Sequence, residues 1–406
     1  MQTLPATDME LAAWLRLSLA PGLKPAALRL LLGAFGLPQA LFEQEPRALA
    51  EVAGEAAARA TLAPPAPGFD AQLAAVLAWR DTPGNQVVTL DDPAYPPALL
   101  TMPDPPPLLY IKGRLELLHT RAVALVGSRS ATPQGTEDAE RFAREFAQTG
   151  VTVVSGLALG IDGAAHRGGL AGVGGTVAVI GTGADLVYPG AHHALARQIA
   201  AQGAILSEWP LGTPARAANF PQRNRLIAGL VRGVVIVEAA MRSGSLITAR
   251  LANEMGRDIF ALPGSIHAPL SRGCHRMIKQ GAILVETPDE VLEELGFKRP
   301  YVSTRVSTRS RKSPGGAPRQ AQSGLWDGAA PPQPAAALTH AAEPRELTPE
   351  GQKLLAALGH SPATLEILAE RTEMEDAALQ TTLLQLELAG QVGALPGGRF
   401  VRTSHP

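Results

Sequence analysis

Arg223-Asn224-Arg225 follow an aromatic and a proline in FPQRNRLIAGL (220–230). Arginine forks hold phosphate oxygens in bidentate fashion, and an aromatic face can carry a flat ring. Other short stretches have the same character: Ser128-Arg129-Ser130, Ser155-Gly156, Thr182-Gly183, and Arg242-Ser243-Gly244-Ser245 with Thr248 beyond. They offer glycines, hydroxyls and guanidiniums, the groups that let backbone N–H donors and cations close on an oxyanion. Together they spell a phosphate-tracking groove with one stacking platform, Phe220.

Each residue also has a plainer reading. Asp162 and His166, four apart on one helix face, are spaced for acid–base work, yet such a pair commonly pins a loop by hydrogen bonds. Ser243 or Ser245 can cap a helix. Glu238, after a strand, suits a cap or an arginine partner better than a base. Asn224 suits a backbone bond in a tight loop, and Phe220 can be core. What carries weight is the recurrence of such tips after successive strands.

Those strands are legible. AVALVG, VTVVSG, TVAVIG, AILSE, GVVIVEA, DIFALPG and AILVET alternate with helical segments from 121 to about 295. Near-continuous Val/Ile/Ala runs, each followed by a helix, indicate a doubly wound α/β domain with a parallel sheet covered on both faces. Ligands of such sheets sit at the carboxyl ends of the strands, where the tips lie. Residues 8–62 read as short helices broken by Gly and Pro. Within them LAPGLKPAAL resembles a helix-hairpin-helix turn, but acids outnumber bases up to residue 120, which favours a packing module. Residues 64–118 read as a proline-rich extended connector with one strand, LLYIKG. Residues 298–346 read as a flexible linker, basic first and then Pro/Ala-rich. Residues 347–402 read as three helices and a β-hairpin, a winged-helix pattern with starts at Thr348 and Ser361 and stops at Gly359 and Gly390. Its candidate recognition helix, EDAALQTTLLQLELAG, has no Lys or Arg, which favours protein contact over base reading.

The bulk numbers exclude several classes. The 406 residues suffice for two or three domains, and a net charge of −1 means that any nucleic-acid contact must come from a local patch. A single cysteine, Cys274, excludes an internal disulfide framework and fits a reducing cytoplasm. The N-terminal stretch has no basic region of a signal peptide, and no apolar run reaches the length of a membrane helix. Walker, GxGxxG, GxSxG and HExxH patterns are absent, so no catalytic set, metal site or cofactor site assembles.

The series GSR (127–129), SGLALGIDGAAH (155–166), AVIGTG (178–183), YPG (188–190), FPQRNRLIAGL (220–230), VVIVEAAMRSGSLITARLANEMGRDIFALPG (234–264) and GCHRMIKQGAILV (273–285) closely resembles the DprA/Smf family of DNA-processing proteins. The resemblance implies an extended Rossmann-like domain over 119–297, a SAM-like helical domain over 1–63 and a winged-helix-like domain over 347–406. It implies a cytoplasmic, non-enzymatic protein, a homodimer through the Rossmann-like domain. Such a protein binds single-stranded DNA, protects it in natural transformation and loads RecA onto it. The implied DNA pocket comprises Ser128, Arg129, Ser155, Gly156, Arg216, Asn219, Phe220, Arg223, Asn224, Arg225, Ser243, Gly244, Ser245 and Thr248. Family members often carry lysine three residues before the Phe of FPxRNR. Here Ala217 stands there, with Arg216 beside it. Apolar positions over 226–236 suit either a subunit surface or a buried helix. Two rivals remain at this point: a nucleotide-cleaving enzyme using Glu238 or Glu254, and a scaffold with a vestigial nucleotide site.

Overall fold

A computed structural model of the chain describes residues 7–297, 348–359, 362–395 and 399–403. The expected linker lies outside the described residues, as does Ser361.

The N-terminal module is six helices: α1 (Asp8–Leu19), α2 (Pro25–Phe35), α3 (Pro38–Phe42), α4 (Pro46–Ala53), α5 (Glu55–Leu62) and α6 (Phe69–Arg80). Thr7 opens α1 with a reciprocal capping box to Glu10, satisfying donors that the first turn leaves free. Proline stands in the first turn of α2, α3 and α4, where its missing N–H costs nothing. Leu17, Leu28, Leu31, Leu41 and Leu49 close this module's own core.

Nine strands form one sheet: β1 (Asn85–Thr89), β2 (Leu108–Gly113), β3 (Ala122–Val126), β4 (Thr152–Ser155), β5 (Thr176–Val179), β6 (Ala204–Ser207), β7 (Gly233–Ile236), β8 (Asp258–Ala261) and β9 (Ile283–Leu284). Their order is β1-β2-β6-β5-β4-β3-β7-β8-β9. From β6 to β9 every pairing is parallel, while β2 runs antiparallel to β6 and β1. All seven strands expected after residue 120 are present. The segment 64–118 is not a connector. It supplies α6, β1, β2 and a single turn of helix, α7 (Pro97–Leu100), so its prolines punctuate elements rather than prevent them. Trp14 and Val76 pack on Leu108 and Tyr110 of β2, which ties the helical module to the sheet edge.

Seven further helices complete the sheet domain: α8 (Pro133–Gln148), α9 (Ile161–Leu170), α10 (His193–Gln202), α11 (Asn219–Leu230), α12 (Ser245–Glu254), α13 (Arg272–Lys279) and α14 (Pro288–Glu294). Alternate residues of β3 face opposite layers, as the two-residue period of a strand requires. Val123 and Leu125 meet Phe142 and Phe146 of α8 and Ile161 of α9. Ala124 and Val126 meet Leu226 and Ile227 of α11 and Ala249 of α12. Leu226–Ala228, Leu230, Val231 and Val234–Ile236 are therefore core of this chain, which settles the double reading of 226–236 against a subunit surface.

The last domain is α15 (Pro349–Leu358), β10 (Ala363–Thr364), α16 (Leu365–Thr372), α17 (Asp376–Leu388), β11 (Val392–Leu395) and β12 (Arg399–Arg402). Thr348 caps α15, Gly359 ends it at φ 60°, and Thr364 caps α16. Arg371 of α16 anchors this domain on α8. It donates to both carboxylate oxygens of Glu137 at 2.7 Å and to Gln134 Oε1 at 3.0 Å.

The turn after β4 is the most constrained part of the sheet. Leu157 sits at φ 61°, a left-handed conformation that costs a branched residue about 1–3 kcal/mol. It is held by two buried groups. Asp162 Oδ2 accepts from the N–H of Gly156 (3.1 Å) and of Ala158 (3.3 Å), and His166 Nε2 accepts from that of Leu157 (3.2 Å). His166 Nδ1, 2.8 Å from Thr176 Oγ1, then carries the proton in that tautomer. The pair pins a loop, the plainer of its two expected roles. Burial, followed by the charge of His192, pushes the His166 pKa down to about 3. A folded pKa below the unfolded value of 6.5 stabilises the fold above that pH and loses this contribution as pH falls towards about 3. Thermal melts of wild type should therefore lose stability on acidification below 6.5, by up to about 1.4 kcal/mol per pH unit from this group. His166→Gln should flatten that slope while melting lower at neutral pH.

Candidate nucleic-acid interface

Strands β3 and β7 are neighbours whose connections run to opposite sides of the sheet, β3 to β4 and β7 to β8. This is the switch point at which a doubly wound sheet opens a crevice. A cavity of about 650 Å³ lies there, between Gly127 at the end of β3 and the Ser243–Ser245 turn after β7.

FPQRNR is not a loop. It forms the first turns of α11, and helical periodicity decides which side chains reach the cavity. Phe220, Arg223, Asn224 and Ile227 share one face and line it. Arg225 projects elsewhere. Its Nη2 donates to Glu208, its Nη1 to the carbonyl of Asp104 at 2.7 Å, and its Nε lies 3.5 Å from the Asp104 carboxylate. Desolvation pushes the Glu208 carboxyl above the usual carboxylate range against the pull of Arg225. The expectation that Arg225 grips a phosphate is corrected: it ties α11 to the 103–107 segment.

Arg223 is the unusual member. It is 4% exposed, yet among the described residues its guanidinium has one protein hydrogen bond, from Nη1 to the carbonyl of Val179 at 3.1 Å, and its buried Nε has no partner. Burial lowers its pKa to about 10, opposed by Asp162 and reinforced by Arg129, so it remains a cation at neutral pH. The guanidinium rests on Gly156, where an added Cβ would overlap Nη1, so that position has no room for a side chain. Asp162 is the one acid lining the cavity, and two backbone N–H groups already engage it.

Arg129 lies exposed at the mouth, its guanidinium carbon 5.3 Å from the Phe220 ring centroid. Tyr188 completes the wall. It is 50% exposed, and its ring centroid is 5.7 Å from that of Phe220, tilted 39°. Tyr188 belongs to the YPG stretch (188–190) but is not among the residues of the implied pocket. Its signal was a lone aromatic after the AVIGTG turn in a chain poor in aromatics. Thr248, Gly244 and the hydroxyls of Ser243 and Ser245, 2.6 Å apart, form the opposite side. Neither serine is the N-cap. Gly244 holds that position with no side-chain cap, and Ser243 Oγ accepts from the Ser245 N–H. Asn224 Nδ2 donates to the Gly244 carbonyl, bridging α11 to this turn.

The remaining expected residues support the cavity from behind or from its rim. Ser155 Oγ donates to Leu125 O, Asn219 Nδ2 to Gly181 O, and Ser128 Oγ accepts from Ser130 N–H. Arg216 is exposed beside Ala215 and Ala217, which do line the cavity. Glu238 accepts from the N–H and hydroxyl of Thr132, as a cap partner of α8. Glu254 is exposed at the far end of α12. The two carboxylates proposed for an enzyme therefore do not meet in the cavity.

A family model for DNA recombination-mediator protein A matches residues 86–296, and one for the DprA winged helix domain matches 330–398. The chain belongs to the DprA/Smf family. Protein Smf of Escherichia coli is 41% identical over 332 residues, 81% of each chain. DNA processing protein DprA of Streptococcus pneumoniae is 49% identical over 208 residues, 51% of this chain and 73% of that protein. The crystal structure of DprA from S. pneumoniae superposes with a TM-score of 0.59 at 38% identity, covering 72% of this chain and 99% of that one.

Arg225→Ala separates the two arginines of FPQRNR. Removing it strands a buried carboxylate and should cost about 3–5 kcal/mol in denaturant unfolding, the penalty for breaking a buried pair. The same variant, assayed while folded, should keep the wild-type salt dependence of oligonucleotide binding. A reduced salt slope with unchanged stability would return Arg225 to the pocket.

Proposed function

We propose that the cavity at the β3–β7 switch point binds single-stranded DNA, with Arg223 and Arg129 on the phosphates, an unpaired base on the Phe220–Tyr188 wall, and Asn224, Ser243, Ser245 and Thr248 as neutral contacts. The observation that carries this reading is the buried, under-bonded Arg223 beside a half-open aromatic pair. A buried cation with spare donors asks for an anion. An aromatic wall asks for an exposed base face, which a duplex keeps stacked and a single strand presents. None of these contacts reads a base edge, so sequence preference is weak. Phosphate binding at a Rossmann-like edge also suits a mononucleotide, but the mouth is open to Arg129 and continues past Ser243, as a polymer requires.

Family membership extends the reading to a non-enzymatic recombination mediator in the cytoplasm. It coats strands taken up in natural transformation, acts as a homodimer through the sheet domain, and loads RecA. The winged-helix-like domain serves protein contact here: α17 carries no Lys or Arg with which to enter a groove.

Fluorescence anisotropy over a salt series tests the site. Single strand should bind more tightly than the matching duplex. Arg129→Ala should reduce the slope of log K against log salt by about 0.7, one phosphate on a single strand. Phe220→Ala or Tyr188→Ala should cost about 1–3 kcal/mol with little change of slope. Equal, weak binding of both forms, indifferent to these substitutions, contradicts the reading. The loading role predicts a shorter lag in RecA filament formation on the bound strand, and an unchanged lag removes it.

A further inference from the structure

Glu208 is a largely buried acid that does not line the pocket. It directly follows β6, on a strand end that Ser207 fixes: Ser207 Oγ donates to the Thr182 carbonyl and accepts from the Trp209 N–H. The Glu208 side chain is 12% exposed. Its Oε2 accepts from Arg225 Nη2, and its Oε1 is buried without a hydrogen-bond partner among the described residues. Arg225 gathers three pieces of chain: its own helix α11, Glu208 at the end of β6, and the 103–107 segment, through the Asp104 carbonyl at 2.7 Å and carboxylate at 3.5 Å.

α11 has no side-chain cap from its N-cap residue. Among the described residues, four side chains tie its opening turns to the rest of the domain. Asn219 bonds the Gly181 carbonyl, Arg223 that of Val179, Asn224 that of Gly244, and Arg225 reaches Glu208 and Asp104. Only the last of these pairs opposite charges.

We propose that Glu208 is a positioning residue for the single-strand site: its charge holds Arg225 and so keeps α11 in the setting that presents Phe220, Arg223 and Asn224 to the strand. This assignment rests on the single-strand reading of the pocket, and it makes affinity depend on the ionisation of a group that touches no DNA. Burial pushes the Glu208 pKa up to about 7, against the pull of Arg225 and with a further push from Asp104. The orphaned Oε1 acts in the same direction, because a buried carboxylate oxygen without a donor costs most when charged. Tyr95 also faces this cluster. Its hydroxyl donates to the Pro106 carbonyl, and burial holds it neutral; Arg29 of α2 acts on it from beyond. The charge-assisted bond to Arg225 therefore weakens as Glu208 takes up a proton near neutral pH. The aligned fraction of the protein falls, and apparent affinity falls with it. Bulk electrostatics acts the other way: acidification charges histidines and strengthens binding of a polyanion. The fold also responds with the opposite sign. With a folded pKa above the ordinary 4.5, the stability contributed by Glu208 is fully present below 4.5 and lost as pH rises through about 7. Protonation thus firms the fold while loosening the grip on DNA.

The test measures oligothymidylate binding and thermal melts of the full-length protein on both sides of neutral pH, for wild type, Glu208→Gln, Asp104→Asn and Arg129→Ala. On the alkaline side Glu208→Gln should bind roughly fivefold more weakly than wild type, with the same salt slope and a melt no lower. On the acid side the two should converge, because wild type alone loses that factor. Asp104→Asn, which keeps the backbone carbonyl that Arg225 bonds, should retain the pH step. If Arg129→Ala binds like wild type at every pH, the pocket reading itself fails. If Arg129→Ala weakens binding but Glu208→Gln matches wild type in affinity and pH profile, Glu208 does not set the helix and this inference alone is overturned. A Glu208→Gln protein that melts lower and loses affinity and salt slope together has lost packing rather than alignment, which overturns it as well. So does a pH step that survives in Glu208→Gln and vanishes in Asp104→Asn.

Discussion

The guanidinium of Arg223 lies under the sheet edge with one carbonyl to bond and one carboxylate near enough to feel. Burying an unpaired charge costs several kcal/mol, so this position survives only because its surroundings are built for it. Gly156 leaves the space, Val179 supplies the acceptor, and Asp162 supplies the opposing charge. The turn that carries Gly156 is itself strained at Leu157, and Asp162 and His166 hold it by three backbone bonds. Asp162 thus does two things at once: it fixes the turn and partly neutralises the cation above it. Arg223 lines the cavity, and Arg129, Phe220 and Tyr188 stand around the same opening.

The rest of the molecule keeps this edge open. Helices α9, α11 and α12 all begin at it, and none has a side-chain cap from its N-cap residue. Their dipoles add a positive field without adding bulk. The N-terminal module docks on the β1–β2 edge through Trp14 and Tyr110, and the winged-helix-like domain docks on α8 through Arg371. Both attachments engage residues that do not line the cavity.

Much of this was legible before any coordinates. Strand ends followed by Gly, Ser and Arg placed the site at one sheet edge, because parallel strands with near-continuous Val and Ile leave little ambiguity. The role of individual residues in FPQRNR was not legible. Arg223 and Arg225 are chemically identical and two apart, and only the helical phase turns one into the cavity and the other towards Glu208. Placing Asn224 in a tight loop hid the phase. Likewise the prolines of 64–118 masked α6 and β1, since NQVVT is short and mostly polar at its start. Tyr188 was hidden for another reason: its partner, Phe220, is 32 positions away and meets it only when β5 and β6 place both loops side by side.

The account turns on the guanidinium resting against a residue without a side chain, and Gly156→Ala tests it most directly. The backbone there needs no left-handed conformation, and the three atoms nearest an added methyl all belong to the Arg223 guanidinium. Single-strand affinity and thermal stability should be measured together. The account predicts a folded protein whose affinity for single-stranded DNA falls roughly tenfold or more, with a salt slope lower by about 0.7 as the phosphate held by Arg223 is lost. A folded Gly156→Ala protein that binds single strands with wild-type affinity and slope would contradict it.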